Sequence, residues 1–189
     1  MLVTATFSTG TALADISKST AFINPRKVVA APMGARNMCE TYRWACAQPS
    51  RNAAFTKDHL KIARSINRQV NRNVRSIADS RQYRKEEVWA LPTRRGGDCE
   101  DFALLKKRLL IQAGIPPERL LVATVLDRRR NSHAVLVLRT ETGDYVLDNL
   151  TNRMLHWKKT RYTFLRMQDP KSPNLWVAVL AGGILDRRA

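Results

Sequence analysis

The stretch that decides the fold is Arg94-Arg95-Gly96-Gly97-Asp98-Cys99-Glu100-Asp101-Phe102-Ala103. Two glycines end a loop, and Asp98 is a residue type that favours a helix N-cap, with Asp101 placed to act as the acid of a capping box. The apolar periodicity that follows predicts a helix that stops at Gly114. Cys99 therefore falls in the first helical turn, where unpaired N–H groups and the helix dipole favour a thiolate.

A cysteine at this position is either a reactive nucleophile or a buried structural residue, and its position alone leaves both open. Three acids, Asp98, Glu100 and Asp101, surround it in the sequence. Their negative charges raise the free energy of a neighbouring thiolate. If Cys99 is to react, the stretch therefore needs a counterion.

The composition predicts one domain with a basic surface. Hydrophobic residues make up 44% of the 189 residues, and 33 Lys and Arg against 16 Asp and Glu give a formal net charge of +17. This balance favours acidic partners such as an anionic envelope polymer or an acidic protein. The basic residues are dispersed and no aromatic-rich RNA motif accompanies them, so we do not expect nucleic acid as the partner. No segment reaches the ~18 apolar residues that a transmembrane helix needs.

The N-terminal quarter of the chain indicates export. Residues 1–14 are small and weakly apolar and end in Ala12-Leu13-Ala14, which predicts a signal-peptide remnant cleaved before Asp15 and a periplasmic location. The positive start of a signal peptide is missing, and a disordered N-terminus is the alternative. Residues 15–55 are predicted to be an irregular segment with three prolines.

Two cysteines, Cys39 and Cys46, lie in this irregular segment. On one straight helix their Cα atoms would be ~10 Å apart, too far for a disulfide, so a bond between them requires a turn. In an exported protein such a pair would leave Cys99 free to react. Two unpaired buried cysteines are the alternative.

Hydrophobic periodicity divides the remaining chain into helices followed by strands. Residues 56–77 repeat apolar side chains every four positions, which predicts a helix with a basic exterior. After Gly114 the pattern changes, and we predict strands over residues 119–126, 133–139, 144–148, 161–166 and 175–180. Helices first and antiparallel strands afterwards predict an α+β fold. The predicted domain spans residues 56–189.

His133 opens one predicted hairpin strand, and Asp148 closes its partner. With a four-residue loop over 140–143, the two side chains share a face and lie ~7 Å apart on the diagonal, whereas a five-residue loop would separate them. The pattern predicts a site in which Cys99 attacks a carbonyl, His133 carries the proton and Asp148 orients the imidazole. The Cys99 N–H and a second donor would bind the oxyanion, and Trp89 is the candidate, with core packing as its alternative role.

Several pieces of the sequence together resemble the bacterial transglutaminase-like cysteine proteinases. They are Trp89-x-x-Pro92, Gly97-Asp98-Cys99-Glu100-Asp101-Phe102-Ala103, Gly114-Ile115, His133-Ala134-Val135-Leu136 and Leu147-Asp148-Asn149, with Ile66-Asn67-x-x-Val70-Asn71 and Asp79 upstream. The resemblance covers roughly residues 55–180. It implies a papain/transglutaminase-like fold and places the chain beside exported, calcium-dependent proteases that cleave large surface adhesins to release biofilms.

In those family members, acids that flank the nucleophile help to bind calcium. The resemblance therefore implies Asp98, Glu100 and Asp101 as calcium ligands in this chain. A cation at this place would offset the carboxylates beside the thiolate. For Asp98 a plain helix cap is the alternative, and the two roles are compatible.

We expect an exported cysteine endopeptidase that forms an acyl-enzyme thioester and cleaves a protein of the cell envelope or surface. One alternative is acyl transfer of the transglutaminase or amidase type on the same triad, which differs only in the group that accepts the acyl chain. Another is a basic, non-catalytic binding module with the same fold. The presence of Cys99, His133 and Asp148 argues against this last alternative.

Overall fold

The computed structural model describes residues 21–47 and 55–186, and the predicted signal remnant of residues 1–14 lies outside these ranges. Five α-helices are described in these ranges: α1 Met38–Thr41, α2 Lys57–Asn73, α3 Asp79–Gln82, α4 Cys99–Gln112 and α5 Trp157–Thr160. The strands are β1 Val28–Val29, β2 Leu120–Leu126, β3 Ser132–Arg139, β4 Asp144–Leu147, β5 Leu155–His156, β6 Thr163–Gln168 and β7 Trp176–Ala181.

The strands form one antiparallel sheet in the order β1-β7-β6-β2-β3-β4-β5. The prediction of an α+β fold with helices before an antiparallel sheet is confirmed. β2 and β3 lie in the middle of the sheet, and both are buried on both faces, as their continuous apolar sequence requires.

Two hydrophobic clusters, one on each side of the sheet, form the core. The first joins α4 to the sheet through Leu104, Leu136 and Leu138. The second covers the other face and contains Val135, Val137 and other strand residues. Because α4 packs against this central part of the sheet, its first residue is fixed relative to β3.

The helix that we predicted over residues 56–77 ends earlier, at Asn73. Val74 adopts an extended backbone, and the next three residues pair with the loop that precedes α4. Gly97 donates its N–H to the Arg75 carbonyl at 3.1 Å and accepts the Ile77 N–H at 3.0 Å. This short pairing holds the Gly-Gly loop beside the end of α2.

Residues 21–29, here called the N-terminal strap, cross the sheet from β4 to β7. The Ile23 N–H donates to Asp144 Oδ2 at 2.7 Å, and Arg139 donates to the Ile23 carbonyl at 2.8 Å. At the other end, Val28 pairs with Val177 on β7. We predicted residues 15–55 to be irregular, and this strand and the contacts of the strap were missed. The domain boundary at residue 56 stays a prediction, although the strap contributes the fully buried Ile23 to the core.

Cys39 and Cys46 form a disulfide, and the required turn lies between the end of α1 and a 3₁₀ turn over Arg43–Cys46. The buried side chain of Gln168 joins this segment to the sheet by donating to the Ala45 carbonyl at 3.1 Å. Its Oε1 accepts from Lys107 Nζ at 2.7 Å. The segment before α2 is thus attached both covalently and through the core.

Two neighbouring lysines of α4 are fully buried, although charged residues are mostly exposed in proteins. Burial lowers the pKa of Lys107 to about 7. Burial also lowers the pKa of Lys106 to about 7, against a smaller opposing effect of the Asp148 carboxylate. Lys106 Nζ lies 5.7 Å from the Phe102 ring centroid and has no hydrogen-bond partner among the described residues.

Candidate active site

Cys99 is the first residue of α4 and the free cysteine of the chain, and it is partly exposed. The backbone N–H of Ala134 on β3 donates to Cys99 Sγ at 3.3 Å. Ala134 directly follows His133, so the packing of α4 on β3 brings the thiol next to the imidazole-bearing residue. An N–H donor favours the thiolate form of a cysteine, because it stabilises the charged sulfur.

Glycine is required at each of the two positions 96 and 97 for a different structural reason. Gly96 has φ = 123°, a conformation that side chains rarely adopt. Gly97 lies so close to the Asp101 side chain that an added Cβ would overlap the carboxylate. The loop can therefore turn sharply and pass over an acidic side chain only with these two residues.

The β3–β4 hairpin has the register that we predicted from the four-residue loop. Arg139 pairs with Asp144, and Gly143 has φ = 144° at the end of the turn. In this register His133 Nε2 lies 2.9 Å from Asp148 Oδ1. Both side chains are buried. The structure thus brings Cys99, His133 and Asp148 to one place at the N-terminus of α4.

Three donors surround the Asp148 carboxylate. Besides His133, the Tyr162 hydroxyl donates to Oδ2 at 2.7 Å, and the Leu150 N–H donates to Oδ1 at 3.0 Å. Burial opposes ionisation, but the bonds from His133, Tyr162 and Leu150 outweigh it and lower the pKa of Asp148. The Tyr162 ring also packs edge-on against the His133 ring, with centroids 5.8 Å apart. Sequence reasoning missed Tyr162, because it arrives from the start of β6.

Asparagine side chains of α2 position the loop after Asp148. Asn71 Nδ2 donates to the Asp148 carbonyl at 2.9 Å and to the Thr151 carbonyl at 3.0 Å. Asn67 donates to the same Thr151 carbonyl at 3.2 Å. The asparagines of α2 therefore fix the backbone that presents the carboxylate to His133.

Glu100 contacts the nucleophile directly. The Cys99 thiol donates to Glu100 Oε2 at 3.0 Å. Burial, followed by the charge of Asp98, raises the pKa of Glu100 to about 8. Burial and then the Glu100 charge raise the pKa of the Cys99 thiol. With its protein neighbours alone, the thiol is therefore held in its neutral form.

Three other carboxylates form a compact cluster behind Cys99: Asp79, Asp98 and Asp101 each offer one oxygen within 4.8 Å of the others. Each of the three also has one buried oxygen without a hydrogen-bond partner among the described residues. Buried unpaired carboxylate oxygens are costly unless a cation or donor meets them. Oxygen ligands in this number suit a hard cation such as calcium, with carbonyls or water completing its shell.

The remaining oxygens of the cluster hold the surrounding loops. Asp79 accepts the Val88 N–H, and Asp101 accepts the Ala90 N–H at 2.9 Å. Asp98 Oδ2 accepts the Asp79 N–H at 3.3 Å. Asp98 is the N-cap residue of α4, but its side chain makes no capping hydrogen bond to the helix, so this part of the capping-box prediction is wrong.

The carboxylate cluster differs in two members from the acids that we predicted as metal ligands, and the assignment of ligands stays a prediction. Asp79, which lies far upstream in the sequence, joins Asp98 and Asp101, because the pairing at Gly97 brings α3 beside the start of α4. Glu100 lies outside the three-oxygen cluster and accepts the Cys99 thiol instead, while burial and the charge of Asp98 raise its pKa.

Trp89, the predicted oxyanion donor, is buried in the core beside α4. Its ring packs edge-on against Trp176, with centroids 5.8 Å apart. The edge that carries Nε1 faces Gly34, where an added Cβ would overlap the indole. Core packing is the role that these contacts describe, and the donor role stays a prediction.

The family model for bacterial transglutaminase-like cysteine proteinases matches residues 26–183. Among solved structures, calcium-bound LapG of Legionella pneumophila is similar, with 22% identity and a TM-score of 0.54 over 68% of this chain and 80% of LapG. EGTA-treated LapG is similar with 24% identity and a TM-score of 0.53 over 63% of this chain and 67% of LapG. At this identity the likeness to LapG shows the fold alone. No curated protein matches the chain.

Proposed function

The chain belongs to the bacterial transglutaminase-like cysteine proteinase family and is a cysteine peptidase, and we propose that Cys99, His133 and Asp148 are its catalytic triad. The observation that carries the proposal is the buried 2.9 Å contact between His133 and Asp148, adjacent to an N–H that donates to the Cys99 sulfur. His133 and Ala134 are consecutive residues of β3, so the residue after the proposed base contacts the proposed nucleophile.

The proposed reaction begins with transfer of the Cys99 proton to His133. Asp148 engages Nε2, so Nδ1 is the nitrogen that accepts it. The sulfur attacks the carbonyl carbon of the substrate, and the resulting oxyanion accepts a hydrogen bond from the Cys99 N–H at the start of α4. His133 then returns the proton to the leaving amine as the C–N bond breaks, which leaves a thioester.

Hydrolysis repeats these steps with water as the nucleophile. His133 takes a proton from water, the hydroxide attacks the thioester carbonyl, and the Cys99 sulfur leaves and regains its proton. As the second oxyanion donor we keep Trp89 as a candidate. A Trp89→Phe protein that retains full kcat with an intact fold would remove it from the site.

We propose calcium as the cofactor, held by Asp79, Asp98 and Asp101, with Glu100 as a further candidate because the charge of Asp98 acts on its carboxyl. Three carboxylates that each offer an oxygen within 4.8 Å of the others, and that each have a buried oxygen without a partner among the described residues, support this, together with a calcium-bound form of the structurally similar LapG. When bound, the ion supplies positive charge that offsets the carboxylates and favours the Cys99 thiolate. Bound calcium would therefore reduce the negative charge beside the nucleophile.

We also propose export to the periplasm and a protein substrate of the cell envelope or surface, of which an adhesin is the leading example. Support comes from the A-x-A pattern before Asp15, the Cys39–Cys46 disulfide and the family resemblance. No helix within the described ranges is long and apolar enough to cross a membrane. An anionic envelope polymer is the alternative partner for the basic surface.

The test compares the envelope and released proteins of cells that carry the parent or Cys99→Ala. We expect new protein termini only with the parent and only when calcium is available. A fluorescent primary amine added to the parent enzyme separates hydrolysis from acyl transfer. Incorporation of the amine in place of cleavage would favour the transferase alternative, and neither product from a well-folded parent would favour the binding module.

A further inference from the structure

A basic cleft of about 710 Å³ opens beside the proposed triad. It lies between the β2–β3 loop, the segment after β4 and the start of β6. Five exposed cationic side chains line it: Arg128, Arg129, Arg153, Lys159 and Arg161. The same lining includes Asp148 and Tyr162, so the cleft adjoins the triad.

The five cations of the cleft outnumber the two acids in its lining, so the cleft is net positive. Within residues 21–47 and 55–186, none of the five cations forms an ion pair with a carboxylate. The two acids in the lining, Asp127 and Asp148, are already bonded. Asp127 accepts the Arg129 and Asn131 N–H groups at 2.7 and 2.9 Å, and Asp148 accepts the bonds described above. The cleft therefore presents cations without ion-pair partners, which attract an anionic ligand.

Two segments that carry the cations of the cleft have a defined backbone conformation. Arg161 has φ = 61°, a left-handed conformation that is unfavourable for an arginine, and it directly precedes Tyr162. Asp127 bonds back to its own loop and thereby shapes the turn that carries Arg128 and Arg129. The cations thus extend from a turn of defined shape on one side of the cleft and a strained helix end on the other.

The lining also contains a large apolar side chain. Leu150 is 61% exposed, and its N–H donates to Asp148, so it stands at the border between the cleft and the triad. A polymer of uniform charge has no group that uses such a side chain, whereas a polypeptide can place an apolar residue beside its acidic ones.

We propose that this cleft binds an acidic segment of the protein substrate, flanking the bond that is cleaved. The inference rests on the proposed function and adds the substrate class that the site selects. The substrate would carry several Asp or Glu residues on one side of its scissile bond. These carboxylates meet the cations of the β2–β3 loop and of the start of β6, while an apolar neighbour contacts Leu150.

The experiment measures binding without turnover. We use Cys99→Ala protein and two fluorescein-labelled peptides of identical length, one with several Glu residues among Ala and Ser and one with Gln at the same positions. Fluorescence anisotropy gives the two Kd values at low and at high salt. We expect the Glu peptide to bind at least about tenfold more tightly at low salt, with the difference shrinking as salt rises.

Two variants of equal charge change locate the effect. Adding Arg128→Ser and Arg161→Asn should abolish the preference for the Glu peptide, and Asn tolerates the left-handed backbone at position 161. Adding Arg64→Ser and Arg68→Ser on the exposed face of α2 should preserve it. Equal Kd values for the two peptides, or equal losses in both variants, would overturn the proposal.

An oligothymidylate of matched charge separates an acidic peptide from a general polyanion. If it binds as tightly as the Glu peptide and depends on Arg128 and Arg161 in the same way, the cleft has no peptide preference and the proposal is wrong. Because these measurements need no catalysis, their failure leaves the proposed triad intact. Conversely, tight Glu-peptide binding with no hydrolysis by the parent would count against the peptidase reaction alone.

Discussion

Replacing Asp79 by Asn should change stability in opposite directions with and without calcium. In the metal-free protein, burial raises the pKa of the Asp79 carboxyl, so its ionised form is costly there. Two carboxylate charges within 4.8 Å repel each other by about 3 kcal/mol at an effective dielectric constant of 20. The amide removes this repulsion, and its oxygen can still accept the Val88 N–H that Asp79 accepts.

With calcium bound, the parent should be more stable than Asp79→Asn. An ion at 100 times its Kd stabilises the folded parent by about 2.7 kcal/mol, which raises Tm by about 5–10 °C in a domain of this size. Asp79→Asn loses a charged ligand and with it most of this increase. In chelator its Tm should equal or exceed that of the parent, and in calcium it should lie several degrees below.

Differential scanning fluorimetry in EGTA, calcium and magnesium measures the Tm of the parent and of Asp79→Asn under each condition. Asp58→Asn, an exposed acid paired with Lys61, is the matched control and should keep the calcium shift of the parent. Glu100→Gln tests whether a residue outside the three-oxygen cluster contributes to the shell. A parent-like calcium shift in Asp79→Asn, or an equal loss of stability in EGTA and calcium, would refute the assignment of the cluster.

Three further predictions concern the site and its supporting core. Tyr162→Phe removes a 2.7 Å hydrogen bond to Asp148 but keeps the ring, so kcat/KM should fall about ten- to a hundredfold. Because this bond helps to lower the pKa of Asp148, the acidic limb of the pH profile of kcat/KM should move to higher pH. An acidic limb at the pH of the parent would contradict the positioning role. Cys99→Ala and Asp148→Asn should each abolish nearly all hydrolysis, and the double variant should be little worse than either, whereas additive losses would argue against a triad. Burial lowers the pKa of both Lys106 and Lys107 to about 7, so the unfolded chain binds extra protons between about pH 7 and 10.4 and the stability of the parent should rise over this range. In urea unfolding, Lys107→Met should lose the part of that rise that comes from Lys107 and keep the part that comes from Lys106. A pH dependence equal to that of the parent would contradict the burial of Lys107.

The hairpin could be predicted from the sequence because its geometry is local. A four-residue loop that ends in glycine determines which residues face each other, and this alone places His133 beside Asp148. The position of Cys99 followed equally from a local signal, the Gly-Gly turn before an amphipathic helix.

The site residues that the sequence did not reveal depend on contacts between segments that are distant in the chain. Tyr162 reaches Asp148 only because β6 pairs with β2, and Asp79 reaches the acidic cluster only through the pairing of residue 76 with Gly97. The direction of the Glu100 side chain is a choice between two neighbours on one helical turn, which spacing does not decide. β1 is only two residues long, too short for a period to be visible.

The N-terminal strap has a consequence for the order in which the chain can fold. Val28, near the beginning of the described chain, pairs with Val177 on β7, near its end, about 150 residues later. The edge of the sheet therefore stays incomplete until β7 has been synthesised, and contacts of such long range are entropically costly to close early. We expect the β2–β3–β4 hairpins to form first and the strap to dock last, so a chain truncated before Trp176 should expose the apolar face that the strap crosses.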